Sequence, residues 1–104
     1  MKTPDKTQIL NVVFAAVDEV NLQLRRAQRL DKVADTVISG EGSKLDSLGL
    51  VNLIFALEQK IEQEFGVALP LADDVASAGD QNPFRTLGSL ADYVHSRLEK
   101  KLNG

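Results

Sequence analysis

Three long stretches of this chain repeat apolar residues every three or four positions, a spacing that predicts helices burying one face against each other. In the first, the stripe runs through Ile9, Val13, Ala16, Val17, Val20 and Leu24, widened by Leu10 and Phe14, and predicts a helix over 5–28. Thr3-Pro4-Asp5 precedes it as a start signal, with a capping hydroxyl, a proline suited to a first helical position and an acid for the first turn. The second stripe, Leu50, Ile54, Leu57, Ile61 and Phe65, predicts a helix over 47–65 with Gly66 placed to stop it. The third, Leu87, Leu90, Ala91, Val94, Leu98 and Leu102, begins after Thr86, a plausible cap. Between the last two, residues 71–76 suit a short helix, followed by a turn-rich segment from Gly79 to Pro83. No β-alternation of useful length and no internal repeat is present, so the expected class is all-α: three longer helices and one short one in a small antiparallel bundle, with long first and third connections.

Composition removes several functions. At 104 residues the chain is long enough for one core and too short for a separate catalytic domain, so 1–104 is expected to be a single domain. With 43% hydrophobic and 26% charged residues it reads as soluble and globular. No stretch approaches the ~20 apolar residues that span a bilayer, and residues 1–8 are too polar for a signal peptide. The expected compartment is the cytoplasm, without stable membrane insertion. There is no cysteine, and His95 is the single histidine, so thiolate chemistry is excluded and a triad or imidazole metal cage would rest on one residue. A net charge of −3 argues against nucleic acid as partner.

Local features with a chemical reading each have a simpler structural one. Arg25, Arg26, Arg29 and Lys32 form a basic run, but no aromatic residue interleaves with them and cations favour a helix's last turn. The loose stretch 30–44 carries Val33, Val37 and Ile38, which can cover the core, then the turn-rich Ser39-Gly40-Glu41-Gly42-Ser43. Its ending, Gly42-Ser43-Lys44, has the wrong order for a Walker A loop. Asp73 and Asp74 lack the alternating pattern of a calcium loop and suit a helix's first turn. His95, off the apolar stripe and four residues before Glu99, is expected at the surface.

The stretch with most chemical content is Lys44-Leu45-Asp46-Ser47-Leu48-Gly49-Leu50-Val51, where the glycine-bearing loop gives way to the second helix. A serine there has its hydroxyl at the positive end of a helix, where a phosphodiester is favoured. From Leu48 to Leu57 the helix is apolar nearly all round, apart from Gly49 and Asn52, which is more apolar surface than one small core needs. As a plain cap, Asp46 or Ser47 would bind the free amide of Gly49 or Leu50 and do nothing else.

The run Leu45-Asp46-Ser47-Leu48-Gly49-Leu50-Val51-Asn52-Leu53, together with the order of elements around it, resembles the acyl carrier protein family. The resemblance implies a small four-helix bundle of acyl-carrier type, and Ser47 esterified with phosphopantetheine from coenzyme A by a separate phosphopantetheinyl transferase. The arm's thiol then holds an acyl or aminoacyl thioester. It implies that Asp46 positions the loop for the transferase, that Leu48 is an apolar partner contact, and that Val51, Ile54 and Leu57 line or support a cargo cleft. The partners implied are an acyl-loading ligase or transferase and a downstream synthase or acyltransferase of lipid, polyketide or related biosynthesis; a monomer is the default. Such a protein is not itself an enzyme, because the reactive atom belongs to the cofactor.

Fatty-acid members of that family usually carry acids directly after the leucine and three positions on; here those positions are Gly49 and Asn52. The acids remaining near the face are Asp46, Glu58 and Glu62, so weaker charge steering and more reliance on apolar contacts such as Leu50 are expected. The connections before Ser47 and around Asp80 to Arg85 are also long, favouring a specialised carrier, and no Pro- or Gly-rich tether marks either end, as expected of a free-standing domain. Two other readings stand beside it: a helical protein-interaction module that never receives the arm, and a nucleic-acid binder using the basic run. A serine hydrolase ranks last, since the strained strand-to-helix elbow that presents such a nucleophile is missing.

Overall fold

The computed structural model describes residues 4–78 and 84–103, and every regular element among them is helical. In chain order they are α1 (Lys6–Asn21), a single 3-10 turn (Arg26–Gln28), α2 (Ser47–Phe65), α3 (Ala72–Ala78) and α4 (Leu87–Asn103). The expected cap Thr3 and the turn over 79–83 lie outside the described residues. The cap of α1 is Asp5, not a first-turn residue: its carboxylate accepts from the Gln8 amide at 2.8 Å while Gln8 Oε1 accepts from the Asp5 amide at 3.0 Å.

The first helix is shorter than its apolar stripe predicts, ending at Asn21 instead of near residue 28. Asn21 is the cause. Its side-chain amide donates to the Leu30 carbonyl at 3.0 Å and its Oδ1 accepts from the Leu30 amide at 2.8 Å, so the returning chain is pinned against the helix end. Arg29 then reaches back to the Asn21 carbonyl, Nε to O 3.1 Å, a second donor to an oxygen that also accepts from the Leu24 amide at 3.2 Å.

Helix α2 begins and ends where the sequence predicts. Asp46 is its cap, with extended backbone, and Gly66 closes it in the left-handed conformation at φ 67°. The core between α1, α2 and α4 is aliphatic, with Ile9, Val13, Val17, Leu53, Ile54, Leu57, Ile61, Leu87, Leu90, Val94 and Leu98 buried. Phe84, next to the segment that is not described, is also buried, with its ring edge-on to Tyr93 at 5.1 Å between centroids.

The connection 30–46 does more than cover the core. Val37 and Thr86 form an isolated antiparallel bridge, the Ile38 amide donates to the Arg85 carbonyl at 2.7 Å, and the buried Ser39 hydroxyl donates to the Phe84 carbonyl. The first amides of α4 are satisfied from the same connection: Leu87 N to Thr36 O is 3.0 Å and Gly88 N to Ala34 O is 2.8 Å. Thr86 adds a side-chain cap, its Oγ1 accepting from the Ser89 amide at 3.1 Å. Ile38 is buried and Val37 partly so, whereas Val33 is left exposed.

Helix α3 is held by polar groups at both ends of its first turn. Glu58 of α2 receives the amides of Leu71 and Ala72 at 2.6 and 3.0 Å, and Asp74 accepts from Tyr93 Oη at 2.7 Å and Arg97 Nη1 at 2.9 Å. Asp73 and Asp74 are therefore first-turn acids, as their sequence context predicts, and Asp74 is also the link to α4. No described helix is long and apolar enough to cross a membrane.

Candidate functional site at the start of α2

The loop leading to Ser47 is built from short-range hydrogen bonds. The Ser43 amide donates to the Gly40 carbonyl at 3.2 Å and the Leu45 amide to Ser43 Oγ at 3.0 Å, with Gly40 and Gly42 at φ 75° and 89° where a side chain would be strained. Lys44 extends to the Arg29 carbonyl, Nζ to O 3.4 Å, tying the loop to the segment after α1. Leu45 packs partly buried against the core, and the chain enters the helix at Asp46.

Asp46 Oδ1 accepts from the Gly49 amide at 2.7 Å, so the carboxylate, not the serine, caps α2. Ser47 is the first helical residue, among the amides that give a helix its positive end. Gly49 is buried, and a Cβ there would lie 3.1 Å from Leu45 Cδ2 and 3.2 Å from Asp46 Oδ1. A side chain at Gly49 would thus press on the loop that packs against it.

The remaining predicted residues divide by burial. Leu48 is 68% exposed. Val51 is half-buried, and Ile54 and Leu57 are fully enclosed in the core. Leu50, expected as an apolar contact for partners, is also buried and faces the core with them. Phe55, which sequence reasoning did not single out, is 49% exposed and lies seven residues after Leu48, two turns along α2. Its signal was the all-round apolar character of this half of the helix, which overfills a one-sided stripe. Glu58 is half-buried and spent on the amides of α3. The two nearest predicted acids, Asp46 and Glu58, therefore each cap a helix of this chain.

A recess of about 150 Å³ opens beside the same loop, lined by Leu30, Asp31, Thr36, Val37, Gly42 and Lys44. It is smaller than an ordinary ligand pocket of ~300 Å³ or more. Among the described residues no cluster of three or more histidine or acidic side chains is placed to hold a metal ion. His95 is half-buried on α4 with Nδ1 3.9 Å from Glu99 Oε2, the helical neighbour expected for it.

Comparisons with protein-family models, with curated proteins and with solved structures find no match to this chain.

Proposed function

We propose that this protein is an acyl carrier, with Ser47 the attachment point of a phosphopantetheine arm that carries an acyl or aminoacyl thioester between enzymes. The observation that carries the reading is the start of α2: Ser47 occupies the first helical position, while the adjacent Asp46 has taken over the capping of Gly49 at 2.7 Å. A plain helix cap needs one such oxygen, and Asp46 supplies it. The capping duty that would compete with esterification thus falls to Asp46.

The residues present suit the group. A phosphodiester on the Ser47 hydroxyl would lie at the positive end of a 19-residue helix, with Lys44 three positions before it. When bound, phosphopantetheine supplies a thiol that forms the thioester. The protein's own part is to present the serine, hold the preceding loop rigid through Ser43 and Lys44, and offer Leu48 and Phe55 as apolar surface to visiting enzymes. The bundle of three longer helices and one short one, in the order of the acyl-carrier family, supports the same reading.

The test is an intact-mass spectrum after incubation with coenzyme A and a broad-specificity phosphopantetheinyl transferase, with Ser47→Ala alongside. One added phosphopantetheine on the natural chain and none on the variant is the expected result. No addition with several transferases would leave Leu48 and Phe55 as the face of an interaction module that never receives the arm.

A further inference from the structure

The basic run after α1 has an explanation in sequence terms, as cations of a helix's last turn, that the fold removes. Because α1 stops at Asn21, no cation lies in its last turn, and Arg25 and Arg26 fall beyond it, at the start of the 3-10 turn. Arg29 caps the Asn21 carbonyl at 3.1 Å and Lys32 pairs with Asp18 at 3.1 Å. Among the described residues, the side chains of Arg25 and Arg26 make no hydrogen bond or ion pair, and both are exposed. Most other cations here are committed, Lys6 to Asp92, Lys60 to Glu19, Arg97 to Asp74 and Lys101 to the Ala68 carbonyl.

One turn before these arginines stands Leu22, 82% exposed, and immediately after Lys32 stands Val33, 54% exposed. The segment 22–33 thus carries four cations, one acid, Asp31, and two uncovered apolar side chains in a chain whose net charge is −3, and Asp18 and Glu19, which share a recess with Leu22, are paired with Lys32 and Lys60. An exposed leucine one turn from two unpaired arginines matches the boundary of an anionic bilayer, where phosphates meet hydrocarbon. A nucleic acid would satisfy the arginines but offers Leu22 nothing, and the segment has no aromatic residue for base stacking. An acidic protein would need a recess shaped for Leu22, whereas a lipid surface supplies both chemistries at once.

We infer that the end of the molecule formed by Leu22, Arg25, Arg26 and Val33 docks reversibly on anionic lipid. The same end carries the start of α2. Helices α1 and α2 run antiparallel, Gln8 and Val12 sharing a recess with Gln63 and Phe65 while Glu19 pairs with Lys60 at 3.6 Å, and Lys44 touches the Arg29 carbonyl at 3.4 Å. Docking there brings the Ser47 end toward the bilayer, although the inference rests on the basic patch and not on the carrier reading.

The experiment is co-sedimentation of the full chain with phosphatidylcholine vesicles, with and without about 30% phosphatidylglycerol, at about 20 and 300 mM salt. Retention is expected on the anionic vesicles at low salt and not on pure phosphatidylcholine. Arg25→Gln/Arg26→Gln should weaken it roughly tenfold and Leu22→Ser severalfold, while Lys100→Gln/Lys101→Gln, with the same change in net charge, should leave it within about twofold. Circular dichroism of each variant separates lost docking from lost folding. Absence of binding to anionic vesicles at low salt, equal loss from both double variants, or retention by a single-stranded oligonucleotide but not by vesicles would each overturn the inference. Phosphopantetheinylation of the Arg25→Gln/Arg26→Gln variant reads the carrier proposal separately.

Discussion

Glu58, in the middle of α2, binds the Leu71 amide at 2.6 Å, so a carboxylate on one helix serves as the cap of another. The same oxygen takes the Ala72 amide at 3.0 Å, so one carboxylate of α2 holds the start of α3. Glu58→Ala should cost about 1–2 kcal/mol, because two amides lose a charged acceptor in a half-buried setting. Amide hydrogen exchange checks the location. Protection should fall at Leu71, Ala72 and Val75 and hold at Leu53 and Leu57; uniform loss through the bundle would mean that Glu58 supports the core in another way.

Gly88 is fixed by a close approach of backbone. A Cβ there would lie 3.1 Å from both the Ala34 carbonyl oxygen and the Ala34 Cβ, while the Gly88 amide donates to that same carbonyl at 2.8 Å. Alanine normally improves a helix over glycine by about 0.5–1 kcal/mol. Here the carbonyl cannot retreat without breaking its hydrogen bond, so Gly88→Ala should instead destabilise by roughly 1–3 kcal/mol in urea unfolding. Adding Ala34→Gly removes the Cβ clash only, and should restore part of that loss.

Tyr93 sets a limit on stability in alkaline solution. Its phenol titrates above the ordinary 10.0, first because burial disfavours the phenolate and then because the hydroxyl donates to Asp74, with Arg97 opposing in part. The unfolded chain releases this proton at a lower pH than the folded one, so the folded state binds more protons through that interval. Stability must fall as pH rises through about 10 and level off once the folded phenol has also ionised. Tyr93→Phe should cost about 1 kcal/mol at neutral pH by removing the Asp74 hydrogen bond, and should flatten this alkaline decline. The check is the difference in urea midpoint between natural chain and variant at about pH 8 and pH 10.5; a constant difference would rule the linkage out.

What was legible in the sequence follows from how local each cause is. Helix α2 could be bounded because Asp46 and Gly66 act on amides and carbonyls within their own turns. The end of α1 could not, since Leu22 to Gln28 are good helix formers and the stop comes from Asn21 gripping Leu30 nine residues away. Residues 71–76 were legible as a helix, but the Glu58 carboxylate that starts it is remote in sequence. Nor does any alternation announce the Val37 to Thr86 bridge, because one bridged pair leaves no period to detect. At the site, the motif marked Asp46, Ser47 and Leu48, whereas the burial of Leu50 and the exposure of Phe55 depend on how α2 is rotated against α1 and α4.

That division makes Asp46 and Ser47 separable by experiment. Asp46 accepts from the Gly49 amide at 2.7 Å, so Asp46→Ala should lose the cap and about 1 kcal/mol of stability. In the proposed role the Ser47 hydroxyl carries the arm and the cap belongs to Asp46, and alanine is a strong helix former, so Ser47→Ala should change stability by less than about 0.5 kcal/mol. Modification should split the other way. Ser47→Ala should accept no phosphopantetheine under any condition, whereas Asp46→Ala should still accept it, more slowly, because the serine remains while the first turn frays. Unfolding midpoints and intact masses measured on both variants decide the matter. If Ser47→Ala proves the more destabilised of the two, the serine has a structural duty at the helix start and the assignment of the arm to it loses its main support.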